Sequence, residues 1–195
     1  PVTVNGNLDI TGAALAFDAA VARTLNIIGN LSGTGTMDMI PGNWLHILNL
    51  GGATNSLGAL TTAAVASQVN YTRAGNQTVI GSSNYRNLSF SGGGTKSVQG
   101  NISVGGILTL TSGLVLLGNN DLTILTGASI AGGGVGNMIV TDGSGKLKRV
   151  FPAGASAAFI FPVGDNSVTN DYSPLSLTLS ANSIIRTIGV KITDA

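Results

Sequence analysis

Eight aspartates, at positions 9, 18, 38, 121, 142, 165, 171 and 194, are the only carboxylate side chains in this sequence, and His46 is its only imidazole. Acid–base or metal chemistry at a polysaccharide-type groove needs two or three such groups, or a carboxylate with Arg or Lys, converging on one place. Most of these aspartates stand alone beside turn residues. The closest pair, Asp165 and Asp171, falls in a loop from Gly164-Asp165-Asn166-Ser167 to Asn170-Asp171, where Asx turns account for both. His46 lies in Trp44-Leu45-His46-Ile47-Leu48, and alternation puts it on the face of Trp44 and Leu48. A triad or a zinc site needs partners beyond one histidine, so a packed or half-exposed strand histidine is expected.

Two glycine-rich runs resemble binding loops and fail in detail. Gly133-Gly134-Val135-Gly136-Asn137 is similar to a calcium nonapeptide but occurs once and has Asn where an acidic ligand belongs. Gly143-Ser144-Gly145-Lys146 lacks the spacing and the hydroxyl residue of a phosphate loop, and reads as a turn. No catalytic residue, metal or cofactor is expected. Trp44, Tyr71 and Tyr85 are the candidates for glycan contact if they are exposed, although a buried aromatic is the commoner case.

The elements that would position these residues follow from composition. Of the 195 residues, 43% are apolar and only 9% charged, with 29 glycines and no cysteine. Ordinary globular chains carry about 25% charged residues. Abundant Leu, Ile, Val and Thr argue against disorder, and scarce Glu, Lys, Gln and Arg beside plentiful Gly, Asn, Ser and Thr argue for strands and turns. The absence of cysteine rules out disulfides and thiolate sites. No apolar run approaches the ~20 residues of a membrane span. Pro1-Val2-Thr3-Val4-Asn5 has no signal-like core, so any export signal is expected to have been removed. A net charge of +1 with scattered basic residues argues against nucleic-acid binding. The one basic cluster, Lys146, Lys148 and Arg149, alternates with Leu147 and Val150 as the solvent face of a strand would.

Gly-Asn recurs at 6–7, 29–30, 75–76, 100–101 and 118–119, each time ahead of an apolar or alternating stretch, and the first two starts are 23 residues apart. Gly51-Gly52-Ala53 fills the gap as a degenerate copy. Such a period suits a parallel β-helix whose coils turn corners at Gly or Asn, with the corner asparagines sharing hydrogen bonds. Alternation marks strands at 25–28, 44–50, 85–90, 107–111, 114–117 and 122–125. An irregular β-sandwich would suit the same composition; the repeat favours the solenoid. Residues 13–25 read as a short helix, as an N-terminal cap, or as strand and loop. After a turn at Thr141–Gly145 the pattern changes, and a paired end at 175–180 and 184–192 suggests a small antiparallel module. The expected fold is therefore all-β: a parallel β-helix over 1–140 and a small antiparallel β module, capping or following it, over 141–195.

The run Asn84-Tyr85-Arg86-Asn87-Leu88-Ser89-Phe90-Ser91-Gly92-Gly93-Gly94-Thr95-Lys96, followed by Gly100-Asn101-Ile102-Ser103-Val104, resembles the repeats of large secreted surface proteins of Bacteroidetes, adhesin-like cargo of the type IX secretion route. Lys148-Arg149-Val150-Phe151-Pro152, Phe161-Pro162-Val163-Gly164 and Tyr172-Ser173-Pro174-Leu175 resemble the module that often follows those repeats. The matches cover residues 84–195 well and 1–83 only through the looser Gly-Asn pattern. The resemblance implies a cell-surface or released multi-module protein of which this chain is one piece. The C-terminal sorting domain usual in such proteins is not visible after Asp194-Ala195, through cleavage or because this is an interior segment.

The function expected from all this is a non-catalytic extracellular scaffold of adhesin type. Its partners would be other modules of the parent protein or other surface proteins, met through the solenoid ends, and a glycan. A subunit of a fibre or larger surface complex, and a polysaccharide-active β-helix enzyme, are the competing readings.

Overall fold

The computed structural model describes residues 1–62 and 66–193. It is an all-β parallel solenoid of about seven turns, built as three ladders of short strands. The first face stacks Val2–Val4, Thr24–Ile27, Ile47–Leu50, Gln68–Tyr71, Asn87–Phe90, Ile107–Leu110 and Ser129–Gly132, all parallel. The second begins with Leu8–Asp9 on Leu31–Ser32 and resumes with Gln77–Val79, Thr95–Val98, Leu114–Leu116, Ile139–Val140 and Val163–Asp165. The third carries Ala14–Ala16, Thr36–Asp38 and Ala59–Thr61, and then Ser82–Tyr85, Ile102–Val104, Leu122–Ile124 and Leu147–Phe151.

Alternation decides what each strand buries, because neighbouring side chains in a strand point to opposite faces. On the first face Leu48, Val69, Leu88 and Leu108 form one buried row, while Ile27, Leu50, Tyr71, Phe90 and Leu110 form a second. Each fully buried aliphatic side chain is worth about 1.5–3 kcal/mol relative to exposure, so the stacked rows hold the coils in register. The outward row of the same strands reads Thr3, Asn26, Asn49 and Asn70. Their amides form a ladder: Asn26 Nδ2 donates to Thr3 Oγ1 (3.1 Å), Asn49 Nδ2 to Asn26 Oδ1 (2.7 Å) and Asn70 Nδ2 to Asn49 Oδ1 (2.7 Å).

The corner asparagines act differently from a side-chain stack. Each offers its carbonyl oxygen to a backbone N–H one coil further on: Asn7 to Asn30 (2.8 Å), Asn30 to Thr54 (3.0 Å), Asn76 to Thr95 (3.0 Å), Asn101 to Asp121 (2.9 Å) and Asn119 to Ser144 (3.1 Å). Where the corner turns without a strand ladder, these bonds satisfy the amides that would otherwise lack a partner. Glycine serves where coils approach too closely for any side chain. At Gly94, with φ of +64°, a β-carbon would come within 2.3 Å of the Gly75 carbonyl carbon.

The period of 23 residues holds for Val2 to Leu25 and Leu25 to Leu48, then shortens to 19 between Val69 and Leu88 and 20 between Leu88 and Leu108. The difference sits largely at the corner from the third face to the first. Residues 17–23 and 39–46 make wide loops there, whereas Arg86 alone, and later Gly105-Gly106, turn the same corner in the middle coils. The strand expected over 85–90 is accordingly two strands bent at Arg86. Tyr85 and Leu88 both point inward, three residues apart, which unbroken alternation cannot supply. The strand expected from Trp44 starts at Ile47, and residues 13–25 form the strand Ala14–Ala16, a loop over 17–23 and the start of the strand Thr24–Ile27.

Parallel pairing runs beyond residue 141, since Leu147–Phe151 adds to Leu122–Ile124 and Val163–Asp165 to Ile139–Val140. The antiparallel strands are laid directly on this last coil. Arg186–Val190 pairs with Leu147–Phe151, Asp171–Tyr172 with Val163–Asp165, and Leu175–Leu177 with Phe159–Phe161. The segments 175–180 and 184–192 thus pair with earlier strands and not with each other. Phe159 stands edge-on to both Phe151 (6.3 Å) and Phe161 (4.8 Å), and these rings close the apolar interior at this end.

Replacing a corner acceptor tests this account. Asn101→Ala should destabilise the fold by about 1 kcal/mol in urea denaturation, and Asn101→Asp, which keeps an acceptor for the Asp121 amide, should restore most of the loss.

Candidate functional site

The carboxylates are held one by one. Asp9 accepts from Thr11 Oγ1 (2.5 Å) and Ser32 Oγ (2.8 Å), and these hydroxyls hold its carboxyl below the usual range. Asp18 is lowered by the Ala20 amide (2.7 Å) and then by Arg23, whose Nη2 lies 2.5 Å away. Asp38 receives the Ile40 amide (3.0 Å) and Thr61 Oγ1 (2.9 Å), and Asp142 the Gly118 amide (2.7 Å). Asp121 pairs with Lys148 and takes the Lys146 amide at 3.0 Å. Asp165 and Asp171 are brought opposite each other on antiparallel strands. Asp165 nevertheless closes its own turn, accepting Ser167 Oγ (2.6 Å) and N–H (2.9 Å), which keep it ionised to lower pH than usual. A carboxyl held in that state is poorly suited to donate a proton. Asp194 lies outside the described residues. Among the described residues no group of three or more His, Cys, Asp or Glu gathers as a metal site.

His46 is fully buried, its ring 4.9 Å from that of Phe17. Its Nδ1 accepts the Arg23 amide (3.1 Å), so the tautomer with hydrogen on Nε2 donates to the Pro41 carbonyl (2.9 Å). It thereby pins the loop that carries Trp44. The indole Nε1 donates to the Ala19 carbonyl at 3.1 Å, and Asn43 before it is held at a φ of +53°. Trp44 remains 44% exposed, beside exposed Leu45 and Ile40.

Tyr71 and Tyr85, candidates for glycan contact if exposed, are both buried inside the solenoid, which removes them as candidates. The Ile80 amide donates to the Tyr71 hydroxyl (2.9 Å), Tyr71 to that of Tyr85 (2.9 Å), and Tyr85 to the Ile80 carbonyl (2.8 Å). This closed circuit satisfies every polar group in it and ties the first face to the third. Burial pushes the Tyr71 phenol up to about 12 and that of Tyr85 higher than its ordinary value.

Two features lay outside the sequence expectations. Lys96 is wholly buried, with Nζ donating to the carbonyls of Arg73 (2.8 Å) and Gly75 (3.2 Å) and to Gln77 Oε1 (3.3 Å). Desolvation, and then the Arg73 charge, lower its pKa to about 8. Its alternation with buried Val98 in Thr95–Val98 was the available signal. Arg149, expected on a solvent face, turns its guanidinium to the carbonyls of Leu125 (2.7 Å) and Ala128 (2.5 Å) and stacks 4.8 Å from the Phe159 ring.

The remaining feature is the N-terminal end. Val2–Val4, Leu8–Asp9 and Ala14–Ala16 are each terminal in their ladders, with one edge unpaired. Val2, Val4, Leu8, Leu15, Phe17 and Leu25 line an apolar groove of about 340 Å³ there, with Val2 61% and Leu15 38% exposed. The opposite end has antiparallel strands and phenylalanines in the corresponding place. No protein-family model, curated protein or solved structure matches the chain.

The buried polar groups give two measurable effects. Tyr85→Phe leaves the Ile80 carbonyl without its donor and the Tyr71 O–H without its acceptor, and should cost about 1–3 kcal/mol in urea denaturation. Lys96 has a lower pKa folded than unfolded, so the unfolded chain binds more protons between pH 8 and about 10.5, and stability rises with pH there. From pH 8 to pH 9, before the tyrosines titrate appreciably in the unfolded chain, Lys96 should add about 1 kcal/mol. Lys96→Met should flatten that rise in denaturation midpoints measured across the window.

Proposed function

We propose that this chain is a non-catalytic scaffold segment of a larger secreted surface protein, displayed outside the cell and joined to a neighbouring module through its N-terminal end. The unlike ends carry this reading. One end presents unpaired strand edges over an apolar interior, and the other is covered by antiparallel strands. An open solenoid end needs cover, and its edges are ready to pair.

The use of the polar groups supports the non-catalytic part. Six aspartates, His46, Lys96 and the tyrosine pair are each committed to turns, corners or struts by the bonds described above. Low charge and a neutral polar flank suit display, and the resemblance of residues 84–195 to secreted Bacteroidetes repeats favours the type IX route and adhesin-type work. Trp44, held rigid and exposed, is the remaining aromatic candidate for glycan contact. The scattered basic residues offer little to nucleic acid.

The test is to recover the protein from its native source and locate it. A protease added to intact cells should cleave it, and its peptides should belong to a longer polypeptide with solenoid sequence on the N-terminal side. Recovery only from the cytosol would reject the reading. Polysaccharide cleavage that is lost in Asp165→Asn or Asp171→Asn would replace it with the enzymatic one.

A further inference from the structure

The open N-terminal end carries a recognition rule that the other coil junctions spell out. At the corner between the first and second faces, the second coil reaches back with three successive amides. Ile28 N–H donates to the Val4 carbonyl (3.0 Å), Gly29 N–H to that of Gly6 (3.1 Å) and Asn30 N–H to Asn7 Oδ1 (2.8 Å). The third coil repeats the pattern, with Gly51 N–H on the Ile27 carbonyl (2.8 Å) and Thr54 N–H on Asn30 Oδ1 (3.0 Å). At these corner positions acceptors therefore face forward along the chain and the bonded amides face back.

Register places Asn5, Gly6 and Asn7 where Ile28, Gly29 and Asn30 stand one coil later. Leu8 N–H points forward, to the Asn30 carbonyl at 2.9 Å, so by alternation the amide of Asn7 points to the open side. The outward amide ladder reaches the same edge at Thr3, and the inward rows reach it at Val2 and Val4. The edge thus has the donor half of a corner, the last hydroxyl of a polar ladder and the first pair of an apolar row.

We propose that this end seats one further parallel coil of about 23 residues, recognised by an Asn or Asp whose side-chain oxygen faces the Asn7 amide and by apolar side chains over Val2 and Val4. The proposal rests on the scaffold reading and adds the chemistry of the neighbour. Every coil junction inside the solenoid is parallel, so this occupant continues an interface already present. A second copy does not fit as well. Its far end is covered by Asp171–Tyr172 and Arg186–Val190, and two N-terminal ends related by a two-fold axis would meet antiparallel, without the corner rule.

The experiment extends the chain by its own second coil. A copy of residues 24–46 placed ahead of Pro1 puts the copied Asn30 opposite Asn7. The extended protein should melt about 5 °C higher than the original. It should also exchange the amide hydrogens of Asn5, Gly6 and Asn7 more slowly, while the open apolar end moves one coil outward. The same extension carrying Asn30→Leu in the copy should keep the slowed exchange at Asn5 and Gly6 and forfeit it at Asn7. A scrambled extension of the same composition should change neither the melting temperature nor the exchange.

Unchanged exchange at Asn5–Asn7 in the extended protein overturns the proposal, even if heating proves irreversible. A dimer of the original chain, measured by light scattering and dispersed by Val2→Asp, overturns it in favour of a second copy. If the extension protects this corner while the native protein has no solenoid neighbour, the scaffold reading fails and the chemistry of the end stands. The reverse result removes the coil and leaves the scaffold.

Discussion

Everything in this molecule depends on one requirement: each backbone donor of a coil must find an acceptor in the coil beside it. Within strands the parallel ladder meets it. At corners backbone acceptors run short, and asparagine oxygens make up the shortfall, each serving an amide one coil further on. An unpaired buried peptide group is expensive enough that a corner without such a partner would open the apolar rows to water. Gly-Asn is therefore a junction in the literal sense. Glycine lets the chain turn and come close, and asparagine bonds the turn to the next one.

That requirement also explains where the chain's few polar residues went. Arg149 meets carbonyls of the preceding coil, and Lys96 meets carbonyls that the turn at 73–75 leaves without strand partners. Four of the five Asn-x-Ser/Thr sequences have their asparagine bonded to a backbone amide in the following coil, at Asn30, Asn76, Asn87 and Asn101. What looks in one dimension like a surplus of small polar residues is, in three, the hardware between coils.

The recurrence of Gly-Asn and the strict alternation of strands such as Ile107–Leu110 were enough to read a stack of parallel coils from the sequence. The shrinking period was harder, because corner length depends on what the third face needs to bring inward, as at Tyr85 and Leu88. Tyr71 shares the inward parity of Val69, yet its burial relies on a hydroxyl partner fourteen residues away on another face. Pattern within one strand has no access to that. The open groove was equally invisible, since Val2 and Leu15 look like ordinary core residues until one sees that nothing stacks on them. Trp44 shows the converse: it lies in a loop and not in a strand, so parity said nothing about its exposure.

The antiparallel closure at one end has a mechanical meaning. In a solenoid, the bonds between coils run along the axis, so tension on the first coil can peel them a few at a time. Each released coil of about 20 residues would pay out about 70 Å of slack chain. Arg186–Val190 lies antiparallel beside Leu147–Phe151 in the same sheet and shares five residue pairs with it. The last coil can leave only after those pairs have parted, so its release is coupled to a segment later in the chain. That end of the rod is thus like a coil of rope lashed with its own tail.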